Sequence, residues 1–406
     1  MSLHVLEKLA ATNPDCEIWW DSSPLIYEGW KASVLNDAPA GKRAEWEAQL
    51  KRLFDAETAA RDGTMGFRGV TTNPPLSLQA IQADPAFWAD EIRKIAATRN
   101  PDDVEDIYWA VYLDVVRRGA AMIRKVFETS AGKYGYVSGQ VDPRFVTDKT
   151  RMLEQGLQLA EIAPNVMVKI PGSKEGYEVI EELTARGIST NNTTSFTVPQ
   201  YVACMDAVSR GLERAKADGV DLSKWRSVIT HMSSRLGNVG DLKAQADARG
   251  ISLSPEEILL GEMAVLKRAY RYGKERNHPS KMLQCSMRVQ DEGEGGKASS
   301  GHIALIAGGD FVYTCPPGYI AQLMKAEDRL PDFDPAAIDT DASPELIEKL
   351  LRIPYFRQAY EFDGMKPEEF SRFGAFAATA AEFAAATRKT VDFVAQSVET
   401  LHRRVA

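Results

Sequence analysis

Cysteine and histidine are scarce in this chain, and what there is lies scattered. The four cysteines, Cys16, Cys204, Cys285 and Cys315, include no C-x-x-C pair, so neither a disulfide framework nor a zinc site is indicated. The five histidines (His4, His231, His278, His302, His402) form no metal-ligand pair at helical spacing, which favours a metal-independent mechanism. No stretch approaches the roughly 20 apolar residues of a membrane span. Met1 to Ala11 lacks the basic start and long apolar run of a secretion signal, so a cytoplasmic location is expected. Positive charge is in deficit as well: 49 basic residues against 57 acidic ones give a net charge of -8, which argues against nucleic acid or an anionic membrane as a general partner. Internal repeats and long low-complexity segments are absent.

What is present is an ordinary globular composition, 44% apolar and 26% charged, over 406 residues. Eight strand-like runs stand out: Glu17 to Ser22, Gly66 to Asn73, Tyr134 to Asp142, Asn165 to Pro171, Gly187 to Phe196, Ser227 to Ser234, Lys281 to Arg288 and Asp310 to Pro316. Helical patterns separate most of them, for example Asp148 to Ile162, Gly176 to Arg186, Val198 to Ala217 and Ser254 to Glu275. Repeated alternation of this kind implies a parallel sheet with helices outside, and eight units imply closure into a single (β/α)8 barrel. The expected organisation is one α/β domain over 1–406, with a barrel core at about 17–330 and a helical extension at about 344–406. The charged, helix-like Lys42 to Arg61 reads as an insertion, and the Pro-, Asp- and Ala-rich Asp328 to Ser343 as a surface connection. Pro367 to Arg404 is Ala-rich and helical in spacing, and ends in the cationic turn His402-Arg403-Arg404. Such a tail suits packing across a barrel mouth or an interface, and a homodimer is among the expectations.

One amine is placed where such barrels keep their chemistry. In Val166-Met167-Val168-Lys169-Ile170-Pro171, alternation puts Val166, Val168 and Ile170 on one face and Met167 and Lys169 on the other, with Lys169 at the strand end. Burial disfavours a charged lysine, and a neutral amine attacks carbonyls to form a Schiff base. Taken alone, Lys169 is more simply a solvated or salt-bridged lysine. Its surroundings argue otherwise. Ser189, Asn191, Thr193 and Ser195 share one face of the fifth strand, and Ser138, Gln140 and Asp142 one face of the third. A dry structural core is not built from such residues, because each buried polar group costs free energy unless paired. Asp21, Asn73, Thr230, Arg235 and Arg288 stand at or just past other strand ends.

Four segments in order, Gly69-Val70-Thr71-Thr72-Asn73-Pro74, Val137 to Pro143, Val166 to Pro171 and Gly187 to Thr193, resemble the transaldolase family of Schiff-base aldolases. The resemblance extends more weakly from Ile18 to about Val398. It implies a single barrel with an extra C-terminal helix over the mouth, no cofactor, and sugar phosphates as small-molecule partners. Residue by residue, it implies that Lys169 is the Schiff-base lysine and Asp21 the acid/base carboxylate. The bland alternative for Asp21 is a helix N-cap in Asp21-Ser22-Ser23-Pro24. Asn73 and Asn191 match amides that hold the hydroxyls of a dihydroxyacetone fragment, and Thr193 a hydroxyl that positions water. Thr230 replaces a serine of the family pattern and keeps its hydroxyl. Arg235 and Arg288 match phosphate-binding arginines, whose planar fork suits phosphate oxygens.

Two departures stand beside these matches. Gln140 occupies the place of a glutamate that relays protons in transaldolases; an amide orients water but cannot accept its proton. The related fructose 6-phosphate aldolases resemble this chain in having a glutamine there, but they add a tyrosine on the sixth strand. Met232 stands at that position here, with His231 beside it as a substitute acid/base. The second departure is the glycine-rich Gln290 to Gly301, inserted after Arg288 without Walker spacing and read as a flexible linker. The resemblance therefore implies transfer of a dihydroxyacetone unit between sugar phosphates, with two alternatives: an aldolase that releases dihydroxyacetone, and a non-catalytic barrel that binds sugar phosphates.

Overall fold

Most strands hand the chain to a helix through a cap spelled out in the sequence. In the computed structural model, which describes residues 2–54, 66–293 and 295–405, with 400–405 as backbone only, Asn73 accepts from the Leu76 N–H, Asp148 from Arg151, Ser173 from Gly176 and Thr197 from Gln200. Each cap satisfies a backbone donor that has no partner within its own helix, and proline follows at the first or second helical position after Asn73 and Thr197.

The strands so connected are β1 (Glu17–Asp21), β2 (Phe67–Thr71), β3 (Tyr136–Gln140), β4 (Val166–Pro171), β5 (Thr190–Ser195), β6 (Ser227–Met232) and β7 (Lys281–Cys285). After a short ribbon of β8 (Gln290–Asp291) and β9 (Ala298–Ser299), β10 (Phe311–Cys315) completes the set. The order β1-β10-β7-β6-β5-β4-β3-β2 closes on itself with every barrel pair parallel, so the eight-stranded barrel expected from the alternation is the fold. Helices Lys149–Ile162, Lys174–Ala185, Val198–Ala217 and Pro255–Glu275 match the expected segments to within about two residues. The helix-like Lys42 to Arg61 is a helix over Arg43–Phe54, and residues 55–61 lie outside the described ones. Among the described residues no helix is long and apolar enough to cross a membrane.

The glycine-rich segment is not the flexible linker its composition suggested. Gln290 and Asp291 pair antiparallel with Ser299 and Ala298, and Arg329 clamps the ribbon through Asp291 and, at 2.7 Å, the Gly293 carbonyl. The tail forms a short 3-10 turn, Pro367–Arg372, and then the long helix Gly374–Val405. That helix packs on the helix after β2, the 3-10 turn after β3 and the end of β5, so it covers part of the C-terminal end of the barrel. The side chains of its expected cationic last turn, His402 to Arg404, lie outside the described ones.

The opposite end of the barrel is plugged by ions and an indole. Trp19 lies over Gly69, where an added Cβ would come within 2.4 Å of the ring, so a bare backbone there lets the indole fill the lumen. Its Nε1–H donates to Glu17 at 3.0 Å. Arg226 (2.7 Å) and Lys281 (3.1 Å) converge on the same carboxylate. Burial opposes the charge of Glu17, but the two cations override it and draw its pKa down to about 2. The stabilisation this supplies is complete above the ordinary value of 4.5 and is lost as pH falls toward 2. Glu17→Gln leaves Arg226 without its carboxylate, while Lys281 keeps Asp310 at 2.7 Å, and should destabilise the fold by about 3 kcal/mol at neutral pH. Urea unfolding between pH 6 and 2.5 checks both points: below pH 4.5 the parent should lose stability more steeply than the variant, and parallel curves would refute the assignment.

Candidate active site

Lys169 points into the lumen near the C-terminal end of β4, as alternation predicts, and only 5% of it is exposed. Its amine donates to the Thr72 carbonyl at 3.0 Å. In register it lies between Gln140 of β3 and Asn191 of β5. Asn191 is held on two sides: its Nδ2 donates to Ser138 Oγ at 2.8 Å and its Oδ1 accepts from Thr230 Oγ1 at 2.7 Å. A row of neutral dipoles therefore crosses β3, β5 and β6 beside the amine. Met232 and Cys285, register partners on β6 and β7, are buried on the same side of the lumen.

Asp21 ends β1, opposite Thr71 in register, and accepts its hydroxyl at 2.7 Å; Thr71 in turn shares a 2.6 Å bond with Thr314 of β10. The N-cap expected as its alternative role falls instead to Ser23, which accepts from the Leu25 N–H. Asp21 and Lys169 make no direct ion pair, yet each acts on the other. Burial raises the pKa of Asp21 while Lys169, the Thr71 bond and Arg235 oppose the rise; burial lowers that of Lys169 while Asp21 and Cys285 oppose the fall. Each is thus pushed toward its neutral form, the state in which an amine is nucleophilic.

Among the described residues, two buried atoms in this lumen find no hydrogen-bond partner: Gln140 Oε1 and Thr193 Oγ1. Gln140 is otherwise fixed, its backbone N–H donating to Tyr112 Oη at 2.8 Å. Unpaired buried acceptors are costly in a finished core and ordinary where water or a substrate completes the set.

Several sequence expectations do not converge here. The register of β5 with β6 shifts between Asn192 and Ser195, and Thr194 adopts a left-handed φ of 52°. Alternation is broken at that point, so Ser195 shares a side with Asn192, to which it donates at 2.5 Å, and lies near Tyr177 of the flanking helix. Asp142 lies beyond β3, caps the following 3-10 turn and is locked to Arg144 at 2.6 Å. His231 faces outward: its Nδ1 bonds the Tyr201 hydroxyl on helix Val198–Ala217, and burial lowers its pKa to about 3, so it cannot replace an acid/base on the inner face. Asn73 spends its side-chain oxygen on the helix cap.

The two arginines go separate ways. Arg235, on the short helix Ser233–Asn238, grips Glu382 of the C-terminal helix at 2.6 and 3.2 Å and donates to Thr379 at 3.2 Å. β7 stops three residues short of Arg288, and Ser286 between them has a φ of 58°. Arg288 is exposed and lines a cavity of about 400 Å³ with Lys243, Glu262 and His302. Parity within the third strand already gives Ser138, whereas Thr71, Thr72 and Thr314 escape the sequence reading of the site. For Thr71 a signal was available, since it falls on the inner face by parity, whereas the role of the Thr72 carbonyl has no side-chain trace.

The chain matches, over residues 58–366, the family model described as Transaldolase/Fructose-6-phosphate aldolase. Among curated relatives, a protein named transaldolase from Thiobacillus denitrificans is 33% identical over 237 residues, 57% of this chain and 64% of the relative. Transaldolases from Saccharopolyspora erythraea (34%, over 50% of this chain and 55% of the relative) and Mycolicibacterium smegmatis (36%, over 47% and 50%) are also similar. The matched region spans between half and just under two thirds of the length of these relatives.

Because Asp21 favours the charged amine, Asp21→Asn should move the protonation midpoint of Lys169 to still lower pH. The pH dependence of Lys169 labelling by an amine reagent, read by peptide mass, reports this. An unmoved or higher midpoint means the two groups do not interact.

Proposed function

The chain belongs to the transaldolase/fructose-6-phosphate aldolase family, and on that premise we propose that it transfers a dihydroxyacetone unit between sugar phosphates through an imine on Lys169. The observation that carries this reading is a lumen amine without a salt bridge, flanked by buried acceptors that lack partners.

In this reading the neutral amine adds to the ketone carbon of a ketose phosphate, and the resulting carbinolamine loses water to a protonated imine. Gln140 and Thr193 hold that water, and the amide orients it without taking its proton. Asp21 then accepts the proton of the hydroxyl on the fourth carbon as the bond between the third and fourth carbons breaks. An aldehyde leaves, and the electron pair rests in the enamine on Lys169. Asn191, oriented by Ser138 and Thr230, and Asn73 hold the hydroxyls of the retained fragment. Arg288 and Arg235 serve the phosphate end. Return of the proton from Asp21 accompanies condensation with an acceptor aldehyde, after which water regenerates the amine.

Gln140 favours a second reading, in which the enamine is protonated and hydrolysed and free dihydroxyacetone is released. A carboxylate at that place would draw a proton from the water, whereas the amide leaves its oxygen only as an acceptor.

Two experiments separate these possibilities. Borohydride reduction in the presence of fructose 6-phosphate should leave a three-carbon adduct on Lys169, located by peptide mass mapping. A folded protein that gives no adduct with any ketose of a panel would instead support a binding barrel without catalysis. Gln140→Glu should raise the rate of transfer to an added aldose phosphate by about tenfold or more, within the range typical of a positioned acid/base. An unchanged or lower rate would mean that the glutamine is not a weakened relay.

A further inference from the structure

A guanidinium just past the C-terminal end of β6 already holds an anion from its own chain. Arg235 stands on the helix Ser233–Asn238 directly after β6, and its charge opposes the rise in the pKa of Asp21. Both of its terminal nitrogens are engaged by the two oxygens of Glu382, at 2.6 and 3.2 Å, in the forked geometry that a phosphate would otherwise take. The same guanidinium donates to Thr379 and stands 5.8 Å from the centre of the Phe383 ring. All three partners lie within two turns of helix Gly374–Val405, which covers part of the barrel mouth. Arg288, by contrast, is exposed: its carbonyl accepts from the Ser300 hydroxyl at 2.9 Å, but its guanidinium makes no hydrogen bond or ion pair among the described residues.

We infer that Glu382 is a specificity-determining residue: its carboxylate competes with the substrate's phosphate for Arg235 and so weakens selection for phosphorylated substrates at that end of the site. The inference rests on the reading that Arg235 serves the substrate. Competition is physically reasonable because the pair is not deeply buried. Arg235 is 20% and Glu382 52% exposed along the side chain, so the carboxylate can swing into water when a phosphate arrives. An ion pair of this exposure shifts an equilibrium a few-fold, and a negative charge left beside a bound phosphate adds repulsion in the same direction. Phosphate recognition then falls mainly to Arg288, and a ketose or aldehyde without phosphate loses little by comparison.

The test compares Glu382→Gln and Arg235→Ala with the parent, using fructose 6-phosphate, unphosphorylated fructose, and inorganic phosphate as a competitive inhibitor. Glu382→Gln should lower KM for the phosphorylated ketose and the inhibition constant of phosphate by about fivefold. It should leave kcat/KM for fructose unchanged. The glutamine keeps the side-chain length and one acceptor oxygen for the guanidinium, and circular dichroism with a melting curve verifies that the C-terminal helix stays docked. If a folded Glu382→Gln shows an unchanged or weaker phosphate effect while Arg235→Ala loses affinity for phosphorylated substrate, the competition is refuted and the arginine assignment stands. If Arg235→Ala changes neither substrate nor inhibitor, the arginine is structural, and both the assignment and the inference fall.

Discussion

An amine kept out of water is the constraint on which the site depends. A buried ammonium must be paired or must give up its proton, and the protein does not pair Lys169 with a carboxylate in direct contact. Its one fixed partner is the Thr72 carbonyl, a neutral dipole. Around it the inner faces supply amides and hydroxyls, Gln140, Asn191, Ser138, Thr230 and Thr193, which tolerate burial when bonded and add no charge. Asp21 acts on it electrostatically without forming a direct ion pair.

The two ends of the barrel use charge in opposite ways. At the N-terminal end Glu17 is locked by Arg226 and Lys281, and its pKa is far from any working pH. Such a cluster fixes geometry and exchanges no protons. At the C-terminal end burial drives both ionisable groups toward neutrality, the kind of perturbation that marks functional sites. Two non-glycine residues in left-handed conformation, Thr194 and Ser286, follow the inward residues of β5 and β7. Each costs on the order of 1–3 kcal/mol, and both lie where the chain must leave the barrel while keeping a side chain aimed inward.

Much of this was legible because a strand has a period of two. Lys169, Gln140 and Asn191 could be assigned to the lumen from parity alone, and the eight strands from their alternation with capped helices. Parity fails where the backbone departs from a regular strand. One register shift at Thr193 and Thr194 sends Ser195 to the outer layer, and nothing in a run of small polar residues marks it. Asp142 fails for a related reason: β3 ends two residues earlier, so the carboxylate belongs to a turn. His231 was adjacent in sequence to an inward position and therefore, by the same period, outward. The glycine-rich insertion was misjudged because its order comes from Arg329, a contact that composition does not encode.

The partners of Arg235 show the limit of local reading most clearly. A forked cation near a strand end suggests a phosphate, and that inference is sound for an isolated barrel. Glu382 lies 147 positions further along the chain, and only the docking of the last helix brings its carboxylate to the guanidinium. How far the charge of Arg235 is compensated is therefore set by how the tail docks. A helix that packs through apolar and aromatic contacts, with Phe376 and Phe383 buried, holds its polar face in a fixed relation to the lumen. Covering the mouth and setting its charge thus become one structural property, because the side chains that hold the helix down share its surface with the one that answers Arg235.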